Sequence, residues 1–94
     1  MQLPATATLN EAATLAAALP AAVAGGSGVL QVDASALSAF DSSTIALLLQ
    51  AQRLARAAGR GFEVLAVPPK LVQLASLYGV DALLSLAPRP PGSA

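Results

Sequence analysis

Apolar and polar residues along the chain predict three strands, each followed by a helix. Residues 3–9 alternate apolar and small polar side chains, residues 29–32 form a short apolar strand, and residues 62–67 are mostly apolar on both sides. Alternation is typical of a half-buried strand, and an apolar run is typical of a central parallel strand. Right-handed crossovers between such strands give an α/β domain with a mostly parallel sheet.

Between and after these strands, apolar residues recur at helical spacing. The predicted helices span residues 12–19, about 42–58, 69–78 and 82–86. Thr8 and Glu11 form a capping box before the first helix, and Pro20 stops or kinks it. Towards and just beyond the end of the second helix, three arginines follow one line at helical spacing: Arg53, Arg56 and Arg60. They are interpreted as a solvated face that also favours the negative helix C-terminus, or as a partner contact.

Four short side chains that carry oxygen atoms stand together where the longest predicted helix begins: Asp41, Ser42, Ser43 and Thr44. Such side chains accept hydrogen bonds from first-turn amides that have no partner within the helix, so one interpretation is a helix cap. The other interpretation is a hydroxyl presented at a helix N-terminus, where the helix dipole favours a phosphate group. The motif taken alone leaves both interpretations open.

The composition excludes several classes of function. Of the 94 residues, 55% are hydrophobic and 11% are charged, and the net charge is zero, so a nucleic-acid surface is not expected. The chain has no cysteine and no histidine, which removes disulfides, thiolate or imidazole catalysis and most zinc sites. No segment reaches the length of a membrane span. We therefore expect a cytoplasmic protein that is not an enzyme and has no metal or cofactor.

Residues 32–37, the segment 40–43 and the leucine-rich helix after them resemble the central signature of STAS domains, the sulfate-transporter and anti-sigma-factor-antagonist domains. The family pattern is an apolar strand, an Asp, a short loop, and an Asp-Ser/Thr pair that opens a helix. Asp41 and Ser42 keep this pair, whereas Thr44 stands where the family usually has Gly. The resemblance implies a small STAS-like α/β domain, with a mostly parallel sheet and helices packed mainly on one face.

Residues 67–80 resemble the third βα unit of the small STAS subunit of Mla-type phospholipid ABC transporters. In that unit a basic residue, an apolar helix and a Leu-Tyr pair precede a short final helix, and Lys70, Leu77 and Tyr78 match them here. This resemblance implies a non-enzymatic cytosolic subunit that docks on the transporter ATPase and supports its assembly and activity. Through that complex the chain would lie peripherally at the inner membrane.

The resemblance also suggests which residues meet the partner. The candidate partner-binding or phospho-switch residues are Asp41, Ser42, Ser43 and Thr44, with Ser42 at the family's Ser/Thr position and Asp41 orienting it. Lys70 and Tyr78 are candidate partner contacts. The simpler alternatives are a solvent-exposed helix-start residue for Lys70 and a core or semi-buried packing residue for Tyr78.

The alternative function is that of an anti-sigma-factor antagonist. In that branch of the family, a serine kinase that also holds a sigma factor phosphorylates the matching Ser, which is Ser42 here, and only the unmodified form captures the kinase. The two functions share a fold and a surface and differ in the partner protein.

The two ends of the chain carry separate predictions. Most family members begin with a β-hairpin, whereas this chain has room for one strand before its first helix. An unpaired strand edge at residues 3–9 therefore predicts pairing with another chain, such as a homodimer. The domain is predicted to end at Leu86, and residues 87–94 are predicted to form a disordered tail, because they contain no core-forming side chains.

Overall fold

The strands of the described part all pair in parallel and are combined with helices along the chain, which confirms the predicted α/β class. The computed structural model describes residues 1–88. In chain order the elements of that part are β1 (Thr6–Ala7), α1 (Leu9–Ala24), β2 (Leu30–Asp33), β3 (Ala39–Phe40), α2 (Ser42–Ala57), β4 (Phe62–Val67), α3 (Pro69–Leu77), α4 (Asp81–Leu84) and β5 (Leu86–Pro88).

The strands β2, β4 and β5 form a parallel sheet with β4 in the centre. Leu30 and Val32 of β2 are buried together with Val64 of β4, so one face of the sheet carries the core. On the other face, Gln31 Nε2 donates a 2.6 Å hydrogen bond to Glu63 Oε1 at an exposed position. The second face of β4 is thus only partly covered, although its mostly apolar sequence predicted burial on both sides.

The N-terminal segment runs beside β2 before it reaches β3. Leu3 N donates to Asp33 O, and Asp33 N donates to Met1 O, both at 2.8 Å. Further along, β1 pairs with β3 in a second, two-stranded sheet. The regular strand is shorter than the predicted residues 3–9, and one of its edges has a partner within the chain. Pairing of its other edge with a second copy stays a prediction.

Helix α1 continues through Pro20, where the sequence predicted that it would stop or kink. Leu19 and Val23 are buried on either side of the proline, and this packing offsets the backbone hydrogen bond that a proline removes. At the other end, Glu11 Oε1 accepts hydrogen bonds from Thr8 N at 2.9 Å and from Thr8 Oγ1 at 2.7 Å. The carboxylate half of the predicted capping box is therefore confirmed.

Helix α2 is the central helix and has nearly its predicted length. Its buried face consists of Thr44, Ile45, Leu47, Leu48, Ala51, Gln52 and Ala55. Ile45, Leu47, Leu48 and Ala51 pack in a core with side chains from the sheet, from α1 and from α3, and Ala55 packs in a second cluster with Val23 and Leu30. Gln52 is the polar exception in the apolar stripe, and its Nε2 donates a 2.9 Å hydrogen bond to Leu83 O, which fastens α4 to α2.

The described part of the chain ends in a strand that the sequence did not predict. Ser85 adopts a left-handed conformation with φ 51°, and the chain then turns into β5 beside β4. Ala87 and Pro88 therefore belong to the sheet, although they were assigned to a disordered tail. The rest of that predicted tail, residues 89–94, lies outside the described residues.

Candidate functional site

The loop after β3 brings the start of α2 next to the start of α1. Asp41 Oδ1 accepts a hydrogen bond from Ser43 N at 2.9 Å, and Asp41 Oδ2 accepts one from Leu9 N at 3.2 Å. Because Leu9 is the first residue of α1, a single carboxylate satisfies amides at two helix N-termini. Its negative charge is also favourable beside the positive ends of both helix dipoles. Asp41 is therefore a helix cap for α1 as well as for α2.

Thr44 is an interior residue that joins α2 to the N-terminal strand. Its side chain is fully buried, and Thr44 Oγ1 donates a 2.6 Å hydrogen bond to Ala7 O. The same oxygen accepts a hydrogen bond from Asp41 N at 3.3 Å. Thr44 thus fills space in the core and pairs two backbone groups, so this side chain does not face a partner.

Ser42 is the residue of the cluster that the fold presents to solvent. It is the first residue of α2 and is exposed, and its hydroxyl makes no hydrogen bond to any group that the structure describes. Ser43 is half-buried, with its backbone N–H bound to Asp41. The helix-cap interpretation therefore describes Asp41 and Thr44, whereas Ser42 is a free hydroxyl at a helix N-terminus, with no hydrogen bond to Asp41.

A shallow groove beside α2 brings Ser42 together with Tyr78. The lining of this Tyr78 groove is Ser42, Ile45, Ala46, Leu49, Tyr78 and Val80. Tyr78 is 54% exposed, so the alternative that it is a core residue is wrong. Two residues that the sequence singled out for separate reasons thus line one surface.

A second groove runs between α1 and α2. The lining of this α1–α2 groove is Leu9, Ala12, Ala13, Ala16, Ser43, Ala46, Leu47 and Gln50. Leu9 is 72% exposed at its end. Ala46 lines both grooves and forms the ridge between them. The sequence did not lead us to predict Leu9 and Ala46 as surface residues. Leu9 could have been found, because it stands at the first position of a helix and outside any apolar stripe.

Lys70 lies apart from both grooves. It is exposed at the start of α3 and lines a separate depression with Phe40, Pro68 and Pro69. The structure therefore does not bring Lys70 together with Ser42 and Tyr78.

The three arginines that follow one line in the sequence separate in the fold. Arg53 and Arg56 are exposed and form no ion pair with any residue of the described part. Arg60 lies beyond the end of α2 and reaches the end of α1, where its Nη1 donates to Val23 O at 2.9 Å and to Ala22 O at 3.3 Å. The solvated-face interpretation is therefore wrong for Arg60, because the chain turns at Gly59, with φ 73°, before it.

Asp33 shapes the loop that leads from β2 towards this site. Its Oδ1 accepts a 2.8 Å hydrogen bond from Ser35 N. That backbone hydrogen bond, followed by one from the Ser35 side chain, lowers the pKa of Asp33 below its ordinary value. The carboxylate is thus ionised at neutral pH and holds the turn.

Among the side chains that the structure describes, no group of three or more His, Cys, Asp or Glu is placed to hold a metal ion. No helix in the described part of the chain has both the length and the apolar character needed to span a membrane.

Comparisons with known proteins agree with the resemblance read from the sequence. The family model described as "Mlab, STAS domain" matches residues 1–85. A solved structure of an anti-sigma-factor antagonist (STAS) domain protein from Planctomyces limnophilus superposes with a TM-score of 0.79, at 20% identity, over 95% of this chain and 80% of that chain. At this low sequence identity, the superposition shows a shared fold and nothing about function. No curated protein matches the chain.

Proposed function

Since this chain belongs to the STAS domain family, we propose that it is a non-enzymatic binding module that docks on the ATPase subunit of a phospholipid-trafficking ABC transporter. Domains of this family generally mediate protein–protein interactions. The choice of an ATPase partner rests on the resemblance of residues 67–80 to the Mla-type STAS subunit. In this role the chain works in the cytoplasm, peripherally at the inner membrane through the transporter complex.

The observation that carries the proposal is the Tyr78 groove beside the start of α2. A half-exposed tyrosine lies there with Leu49, Val80 and the free Ser42 hydroxyl. Exposed apolar surface that is rimmed by polar groups is typical of a protein contact, and tyrosine is enriched at such contacts. Because the Asp41 cap fixes the helix start, little conformational entropy is lost when a partner binds.

The same geometry argues against catalysis at Ser42. A nucleophilic serine needs a general base within hydrogen-bond reach, and the chain has no histidine. No side chain that the structure describes bonds to the Ser42 hydroxyl. Ser42 therefore serves as a contact residue at the centre of a docking surface.

The second candidate function is that of an anti-sigma-factor antagonist, and the exposure of Ser42 favours it. A kinase can reach this hydroxyl because Ser42 is the exposed first residue of α2. A phosphate there adds negative charge beside the Asp41 carboxylate, in the middle of the surface that binds the partner. In this function the partner is a serine-kinase anti-sigma factor, and only unphosphorylated chain binds it.

Titration calorimetry with the ABC-transporter ATPase from the same genome tests the proposal. We expect Ser42→Asp to bind at least tenfold more weakly, a loss of about 1.4 kcal/mol or more, because a charge must be desolvated at the contact. The variant should fold normally and gain about 0.3–1 kcal/mol of stability from the helix dipole. Ser42→Ala should bind like the parent. Ser76→Asp, on an exposed serine of α3 outside both grooves, is the matched control.

Three results would contradict parts of the proposal. If the parent binds a serine kinase and not the ATPase, the second candidate function replaces the first. If Ser42→Asp binds the ATPase like the parent, the docking surface lies elsewhere on the domain. Nucleotide or ester hydrolysis by the purified chain that disappears in Ser42→Ala would contradict the non-enzymatic role.

A further inference from the structure

The outward side of α2 carries two chemically different halves. At helical spacing it presents Ser42, Ala46, Leu49, Gln50, Arg53 and Arg56, all exposed or half-exposed. The N-terminal half of this outward stripe has small or apolar side chains at Ser42, Ala46 and Leu49, and beyond the polar Gln50 the C-terminal half carries Arg53 and Arg56. From Ser42 to Arg56 the stripe is about 21 Å long at 1.5 Å per residue, which equals the length of about 14 residues of another helix.

The shape of the N-terminal half of the stripe fits a helical partner segment. The Tyr78 groove and the α1–α2 groove lie on either side of Ala46. A small residue on the ridge lets the backbone of a partner helix approach closely, and the flanking grooves receive its apolar side chains. An amphipathic helix has this form, with apolar side chains at i, i+3, i+4 and i+7.

The positive charge on the C-terminal half of the stripe indicates that the partner carries negative charge there. Arg53 lies one helical turn beyond Leu49 and Gln50, which line the two grooves. Arg53 and Arg56 are exposed and pair with no carboxylate among the side chains that the structure describes. An anionic group on the partner would pair with these guanidinium groups as soon as the apolar contacts form.

We propose that the partner segment on this surface is an amphipathic helix that lies antiparallel to α2. Its apolar side chains fill the two grooves, and acidic residues in its first turn meet Arg53 and Arg56. The antiparallel direction follows because acidic residues are favoured at a helix N-terminus, and this direction places that end over the arginines. This inference specifies which structural element of the partner binds at the docking surface of the proposed function. It rests on that docking surface, and it does not require the partner to be an ATPase.

An anionic membrane would also attract the two arginines, but it fits the first half poorly. A bilayer presents a broad surface and is entered by protruding apolar side chains. The apolar surface around Ala46 consists instead of two grooves, which receive side chains from a partner. The contrast between a helix and a membrane is therefore part of the test.

Two synthetic 16-residue helical peptides serve as probes. Both carry the same leucine face, and the first turn contains two glutamates in one peptide and two lysines in the other. In ¹⁵N NMR titrations of the full chain, we expect the glutamate peptide to bind at least tenfold more tightly than the lysine peptide. The amide signals that move should be those of Ala46, Leu49, Arg53 and Tyr78.

Charge reversal makes the test specific. Arg53→Glu should reduce the affinity for the glutamate peptide at least fivefold and should improve binding of the lysine peptide. Lys70→Glu makes the same change of charge at an exposed site outside both grooves, so it should leave both affinities within twofold of the parent.

Several outcomes would overturn the inference: equal affinity for the two peptides, signal changes confined to other surfaces, or no changes at millimolar peptide. Arg53-dependent binding to phosphatidylglycerol vesicles, without binding to the peptide, would assign the surface to a membrane. If neither peptide binds, while the ATPase binds the parent and binds Ser42→Asp more weakly, this inference is wrong and the proposed function stands. If the peptides bind and the ATPase does not, the proposed function falls and the inference stands.

Discussion

Neighbouring side chains at the start of α2 have different roles because successive residues of a helix point about 100° apart. Ser42 faces solvent, whereas Thr44 points into the core and bonds to Ala7 O. Asp41 precedes the helix and accepts hydrogen bonds from Leu9 N in the first turn of α1 and from Ser43 N in the first turn of α2. The candidate contact residue therefore sits on a backbone that its two polar neighbours fix in place.

Replacement of Thr44 by valine should destabilise the domain by about 1–3 kcal/mol. Valine has nearly the same shape but removes the hydroxyl, which leaves Ala7 O buried without its hydrogen bond. Thr44→Ser keeps the hydroxyl and loses one methyl group, so it should cost about 1 kcal/mol. Urea unfolding of the two variants measures the difference. A smaller loss for Thr44→Val than for Thr44→Ser would mean that the methyl group, and not the hydrogen bond, fixes α2 to β1.

The sequence predicted the cluster from Asp41 to Thr44 but not the role of each member. Every member has a short side chain with an oxygen atom, so composition alone favours a cap for all of them. The direction in which each side chain points depends on how α2 packs against α1 and β1. That packing involves Leu9 and Ala7, which lie more than thirty residues away in the sequence.

At the scale of elements, residues that flank α2 hold both ends of α1. Asp41, before α2, binds the first amide of α1, and Arg60, after α2, binds carbonyls of its last turn. A 16-residue helix with a proline in its interior is marginal on its own. The two side chains thus fix α1 against α2, and this pairing forms the α1–α2 groove.

Replacement of Arg60 by alanine should destabilise the domain by about 1–2 kcal/mol. It removes hydrogen bonds from a charged group to Val23 O, Ala22 O and Gly28 O, and the value is at the low end because Arg60 is partly exposed. Arg56→Ala is the matched control, since it removes the same charge from an exposed position, and it should cost under about 0.5 kcal/mol. If urea unfolding shows equal losses of stability for the two variants, the hydrogen bonds of Arg60 to the end of α1 do not stabilise the domain.

The long elements could be predicted from the sequence, and the short ones could not. Residues 62–67 and the start of α2 were predicted as they are found, because each has a strong apolar period and clear start and stop residues. β3 and β5 have only two and three residues and no apolar pattern of their own. Their strand conformation comes from neighbours that are distant in the sequence, β1 and β4, so local pattern does not reveal them.

At the scale of the whole molecule, the position of β5 decides where the domain ends. The family match covers residues 1–85 and stops just before β5. In the structure β5 lies along one edge of β4, with Leu86 opposite the fully buried Val64. Without β5 the central strand of the sheet would become an edge strand beside the core, which favours non-specific pairing between chains.

A chain that ends at Ser85 should therefore be less stable than one that ends at Pro88 by about 1–3 kcal/mol. About 1 kcal/mol comes from Leu86, which is half-buried against the core, and the remainder from the lost pairing with β4. Leu86→Ala in the chain that ends at Pro88 separates the two contributions, because it keeps the backbone pairing. We expect this variant to lie between the two chains in urea unfolding. Equal stability of the two chains would show that the domain is complete at residue 85.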